Sequence, residues 1–96
     1  MSPKNKIKLN KLRKSLDKID IKLLKIIKDR TNIIKKVILL KNYKKEIVDQ
    51  KRINIILKKI RKESIKKKID PKITNRIWKN MIWSYIDFER RIFKKK

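Results

Sequence analysis

The 96-residue sequence contains no cysteine, histidine, glycine or alanine, and only two prolines. Each absence removes a chemistry. Without Cys or His there is no disulfide, no thiol nucleophile, no zinc site of ordinary type and no Ser-His-Asp triad. Without Gly there is no phosphate-cradling loop of the Walker or dinucleotide kind. No apolar run approaches the ~18 residues of a membrane-spanning helix, and the basic segment Met1 to Asn10 lacks the apolar stretch of a secretory signal. These exclusions lead us to expect one cytoplasmic, cofactor-free domain.

What is present is charge. Lys and Arg number 33 against 9 Asp and Glu, for a net charge of +24. Lys (26) and Ile (20) together fill 46 positions. Both have A/T-rich codons, whereas Ala and Gly codons are rich in G and C, so a base-composition bias explains the cations as readily as a nucleic-acid partner does. The charge still creates a field that favours anionic ligands kinetically.

Hydrophobic spacing is helical throughout, and the class is all-α. From Leu9 the apolar residues step through Leu12, Leu16, Ile19, Leu23, Ile26, Ile33, Val37 and Leu40, a heptad seam in which threes and fours alternate. Nothing breaks residues 7 to 41, which at 1.5 Å per residue make a rod of roughly 50 Å. Such a rod cannot bury its seam within a small monomer, so the spacing asks for a second chain. Residues 42–45 read as a connector, and a second helix is expected from about Glu46 to Lys66. Lys66 to Lys68 reads as a turn. Asp70-Pro71 starts a third helix, with Asp as N-cap and Pro at the first helical position, running to about Phe93 with the stripe Trp78, Ile82, Tyr85, Glu89 and Ile92. This divides the chain into a frayed basic tail at 1–8, a helical domain at 9–93 and a basic tail at 94–96.

The informative residues are charges where hydrophobes belong. Arg30 occupies a seam position of the first helix, Glu89 lies on the apolar line of the third, and Asp49 and Arg52 share the apolar stripe of the second. A buried charge costs several kcal/mol unless it is paired or bound to a ligand. Two readings follow: the charges pair with one another across the bundle, or they line a pocket for a small anion. Arg30 and Lys41 are 11 residues apart, three turns plus about 20°, and so share one face about 16 Å apart. Arg13 precedes Arg30 by 17 residues and lies about 100° off that face; it can reach the same ligand only from an antiparallel partner helix. Arg grips a carboxylate bidentately where Lys cannot.

These residues carry a resemblance. The run L-R-K-S-L-D-K-I-D-I-K-L-L-K-I-I-K-D-R, Leu12 to Arg30, resembles the opening helix of the all-helical (AroQ-class) chorismate mutases, L-R-x-x-I-D-x-I-D-x-x-L-L-x-L-L-x-x-R. The family's Lys eleven residues on is matched by Lys41 and its D-x-x-R by Asp49 and Arg52. Its G-L-D-P turn is matched by K-I-D-P, Lys68 to Pro71, and its closing I-x-x-S-x-x-x-Q/E by Ile82, Ser84 and Glu89, one residue out of step at the Ser.

The resemblance implies an intertwined homodimer of three-helix chains that converts chorismate to prephenate, without cofactor, in phenylalanine and tyrosine biosynthesis on the shikimate pathway. It implies that Arg13 comes from the partner chain and that Arg30, Lys41, Asp49, Arg52, Tyr85 and Glu89 complete the substrate site. On this resemblance the arginines would clamp the two carboxylates, and Lys41, Glu89 and Arg30 would be the catalytic residues. The rearrangement is pericyclic and needs neither nucleophile nor base, so a chain without Cys or His can perform it. The resemblance implies that Lys41 and Glu89 stabilise charge on the breaking ether oxygen. An ionised Glu89 would repel that oxygen, so this reading requires the protonated acid. Two positions depart from the family pattern. Ile53 stands where a Glu usually meets the substrate's ring hydroxyl, and Tyr85 stands where strict counting puts the family's Ser.

Trp78, Trp83 and Phe88 read as core, and Lys35-Lys36, Lys66 to Lys68 and Lys94 to Lys96 as solvated. The alternatives are an isochorismate pyruvate-lyase of the same fold, which uses much the same cationic pocket, a basic nucleic-acid-binding protein and a coiled-coil adaptor. Retention on heparin or DNA surviving ~0.5 M salt favours the nucleic-acid reading, because counterion release weakens non-specific contacts steeply.

Overall fold

The computed structural model describes residues 1–94. Three α-helices, α1 (Pro3–Leu40), α2 (Gln50–Lys66) and α3 (Pro71–Ile92), follow one another with a 3₁₀ turn at Lys44–Glu46 between the first two. Among the described residues there is no strand, as the periodicity requires. The chain divides into two units, Met1–Ile33 and Ile34–Lys96, the boundary falling within α1.

The first unit is the N-terminal 33 residues, nearly all helical. Its helix starts earlier than the sequence reading placed it. Ser2 is the N-cap, its Oγ accepting the Asn5 N–H at 3.2 Å, and Pro3 takes the first helical position, where its missing N–H costs nothing. Residues 3–8 are therefore helical instead of frayed. The seam lies open in the single chain: Leu12 is 64% exposed, and Leu16, Ile19, Leu23 and Ile26 are also exposed.

In the second unit, α2 and α3 form a helical hairpin. Asp49 caps α2 by accepting the Arg52 N–H at 3.0 Å, so that helix begins after Asp49 instead of at Glu46. Asp70 caps α3 by accepting the Lys72 N–H at 2.9 Å, with Pro71 following it as the sequence suggests. The hairpin turn is closed by two backbone bonds, Ile69 N–H to Ser64 O at 2.9 Å and Lys68 N–H to Ile65 O at 3.1 Å. That pairing is the Schellman motif, which demands a left-handed residue after the cap. Lys68 supplies it with φ 58°. In a chain without glycine a lysine adopts the conformation that glycine prefers.

The core is small and branched: Ile38, Ile47, Ile53, Ile82 and Ile86 are buried, with Val48, Ile56, Leu57, Ile92 and Phe93 packed against them. One buried polar contact joins the hairpin. Ser64 Oγ lies 2.7 Å from Thr74 Oγ1 and donates to Ile60 O at 2.6 Å, so both hydroxyls are satisfied within the fold. Trp78 and Phe88 are half-buried, but Trp83 is 49% exposed and is not core. The five-residue step from Trp78 turns it about 140° around the helix. Lys35, Lys36, Lys66, Lys67, Lys68 and Lys94 are exposed, while Lys95 and Lys96 fall outside the described residues.

Near the turn, Glu63 pairs with Lys67 at 2.9 Å and Lys66 at 3.8 Å. The hydrogen bond and charge of Lys67, followed by the charge of Lys66, hold its carboxyl below the usual range. This contribution is present at neutral pH and is lost as acidification takes the pH below the ordinary glutamate range. The left-handed Lys68 gives a sharper test. Lys68→Gly removes the Cβ penalty and is expected to raise stability by about 1 kcal/mol. A higher urea midpoint at unchanged slope supports this reading of the turn; a lower midpoint contradicts it.

Candidate active site

Glu89 is the one charged residue buried among the described residues, at 5% exposure. It is buried because it shares a face of α3 with the core residues Ile82 and Ile86. Thr74, Ile82, Ile86 and Glu89, the buried residues of that helix, fall within an arc of about 120°. Its partner comes from the other end of the unit. Helix α1 stops at Leu40, one residue short of Lys41, whose N–H still bonds Ile38 O at 3.2 Å. From that position Lys41 Nζ donates to Glu89 Oε1 at 3.3 Å, with the two side chains 20% and 7% exposed. The two residues expected at the same point of a substrate therefore meet in the fold. They do so next to apolar neighbours: Ile38 lies one turn before Lys41 and Ile86 one turn before Glu89, both in the core.

The remaining expected residues are placed as follows. Arg30, in the first unit, is half-buried, and Arg13, also there, is exposed. Asp49 and Arg52 are exposed, and the Asp49 carboxylate is engaged as the cap of α2. The bond from the Arg52 N–H to the Asp49 carboxylate fixes the two residues relative to each other. Tyr85 is half-buried and meets Phe88 edge-on, with ring centroids 6.5 Å apart and planes at 76°. Ser84 is exposed. Ile53 is buried among the core isoleucines, so an apolar side chain fills that position and no carboxylate is offered there.

The sequence reading missed Glu46. Its carboxylate Oε1 accepts the N–H of Asn42 at 3.1 Å and of Tyr43 at 2.8 Å. The signal was an acid three residues after the residue it caps, the back-reaching half of a capping box, within a stretch that shows no periodicity. A cleft of about 660 Å³ lies elsewhere, lined by α2 residues between Lys51 and Arg61 and by Pro71 and Asn75. It holds none of the expected site residues. Three of its eight lining residues are cations, in line with 33 of 96 for the whole chain, so it carries no special charge.

Residues 12–90 match the family model for chorismate mutase type II. The chain belongs to the chorismate mutase type II family. The matched span runs from Leu12 in α1 to Arg90 in α3 and takes in every residue expected at the site. No curated protein and no solved structure matches the chain significantly. Among the described residues no helix is long and apolar enough to cross a membrane, and no cluster of carboxylates has the makings of a metal site. As the chorismate mutase family's fold is helical, membership and architecture agree.

The geometry of the pair sets two stability expectations. Lys41→Met leaves a buried carboxylate without its cation and is expected to cost about 2–3 kcal/mol, somewhat below a fully enclosed pair. Glu89→Gln keeps an acceptor for Lys41 and is expected to cost about 1 kcal/mol or less. Urea unfolding of both variants measures this; equal losses would show that the pair makes no special demand on its carboxylate.

Proposed function

We propose that this chain is a chorismate mutase that rearranges chorismate to prephenate without a cofactor, in a cytoplasmic homodimer whose catalytic domain is residues 9–93, flanked by short basic ends. The observation that carries the reading is the shielded contact between Lys41 and Glu89, within a chain whose family membership spans residues 12–90. In the reaction one ether C–O bond breaks and one C–C bond forms within a six-membered array. No proton, electron or leaving group is exchanged with the protein. The work left for the site is to hold the compact chair conformer and to stabilise charge on the ether oxygen.

The residues divide that work by their chemistry. Arg30 and Arg52 from one chain and Arg13 from its partner clamp the two carboxylates, for which a planar guanidinium has the right fork. Asp49, by capping α2, holds the backbone of Arg52 in register. Tyr85 packs along the same stripe as Glu89. The ether oxygen enters between Lys41 and Glu89, so that each donates to it; Glu89 takes up a proton to do so. Donation is worth more in shielded surroundings than in water, because the competing solvent is gone. The second chain covers the open seam of the first helix, where Leu12 through Ile33 present a heptad stripe to solvent in the single chain.

Chorismate consumption, followed by ultraviolet absorbance, tests the activity. Wild type turns over, and Arg30→Ala is expected to lose roughly 100-fold or more in kcat/KM while remaining helical. Sedimentation gives twice the 11.8 kDa chain mass. Mixing the inactive Arg13→Ala and Arg30→Ala chains restores about a quarter of wild-type activity, because half the dimers are mixed and each has one intact site. No recovery on mixing places Arg13 outside the partner's site. Turnover of isochorismate but not chorismate replaces the reaction while keeping the pocket.

A further inference from the structure

Lys41 has a demanding place to hold. It must reach a carboxylate that is 7% exposed from a backbone position outside any helix, since α1 ends at Leu40 and residues 41 and 42 belong to no regular element. The segment contains neither proline nor glycine to dictate its path. Its path is dictated by a side chain. Glu46 Oε1 accepts both Asn42 N–H and Tyr43 N–H, the two amides directly after Lys41. Its own N–H returns to Tyr43 O at 3.0 Å, and Ile47 N–H bonds Lys44 O at 3.1 Å. Ile47, the next residue, is 3% exposed in the core. The turn is thus fastened at one end by an apolar anchor and at the other by a charged acceptor.

We propose that Glu46 is a positioning residue for Lys41: its carboxylate, bonded to the backbone just past that lysine, sets the direction from which the ammonium group reaches Glu89 and the ether oxygen. This rests on the assignment of Lys41 to the rearrangement. Glu46 is exposed and its carboxylate is engaged by the Asn42 and Tyr43 amides, so it acts through backbone geometry and not by touching substrate. Charged acceptors make the stronger hydrogen bonds to backbone N–H groups. A neutral acceptor of the same shape keeps part of the hold, and a methyl group keeps none. Because Lys41 acts where charge develops, its misplacement lowers kcat more than it raises KM.

The test compares Glu46→Ala, Glu46→Gln and, as a control carboxylate remote from the pair, Glu63→Ala. Amide hydrogen exchange at Asn42 and Tyr43 reads the clamp directly. A double-mutant cycle in urea unfolding, pairing Lys41→Met with Glu89→Gln, reads the coupling of the pair without reference to activity. It is run once in the wild-type background and once in the Glu46→Ala background. Chorismate kinetics read the consequence. Glu46→Ala is expected to speed exchange at both amides, abolish the coupling and lower kcat about tenfold with KM within about threefold, since sub-ångström to ångström misplacements carry losses of that order. Glu46→Gln falls between Ala and wild type, and carries the test alone should the Ala variant not fold. Glu63→Ala keeps wild-type kcat. Unchanged coupling, or unchanged kcat with the two amides freed, overturns the proposal. Absence of chorismate turnover in wild type defeats the functional reading instead, and the coupling cycle then decides the positioning claim by itself.

Discussion

A carboxylate buried on an apolar helix face has to be given a partner, and the second unit of this chain is arranged to provide one. Glu89 sits at 5% exposure near the end of α3, and Lys41 reaches it from just beyond α1. Ile82 and Ile86 set the face of α3 that turns inward, and Glu89 lies on it. The 3₁₀ turn and Ile47 bring the chain back toward the hairpin after Lys41 has been placed. Replacing such a pair by hydrophobes of similar size is commonly neutral or stabilising. Stability alone therefore gives little reason for the pair, whereas the proposed role beside an ether oxygen that gains charge gives a direct one.

The scarcity of acids sharpens the point. Of nine carboxylates, Asp49 and Asp70 cap helices, Glu46 caps the turn after Lys41, Glu63 pairs with Lys66 and Lys67 beside the hairpin turn, and Glu89 holds Lys41. In a chain of net charge +24 an acid finds cations everywhere, so a pairing is informative only where it is shielded, as at Glu89. The lack of small residues is handled in the same local way. With no glycine for the Schellman turn, Lys68 takes φ 58°; with no alanine, the core is filled by five isoleucines, whose stiff branched side chains suit few rotamers.

Much of this was legible beforehand, for identifiable reasons. Periodicity fixed three helices, and Asp70-Pro71 fixed the start of the third, because cap and proline preferences act within two residues of one another. Glu89 stood out because a helix stripe has a phase that a single charge violates visibly. The boundaries were less legible. Ser2-Pro3 starts α1 in a segment whose basic composition suggested fraying, and Asp49 caps α2 in a place where its spacing also fits the stripe of the helix. Trp83 was read as core on residue type, although a five-residue step from Trp78 turns it away. Glu46 was invisible to pattern because its role depends on a backbone path that no spacing rule describes. The Lys41–Glu89 contact joins residues 48 positions apart, and only the fold brings them together; the family motif marked both residues without stating that they touch.

If Lys41 and Glu89 are the polar heart of an anion site, a ligand that fits between them must lose affinity when the cation goes. Calorimetric titration with a bicyclic ether dicarboxylate shaped like the chair transition state tests this most directly, with wild type and Lys41→Met measured side by side. The predicted result is saturable binding at one ligand per chain in wild type and a loss of at least about tenfold in affinity in the folded variant. Equal affinity in the two proteins, or no binding by a folded wild-type protein, would contradict it.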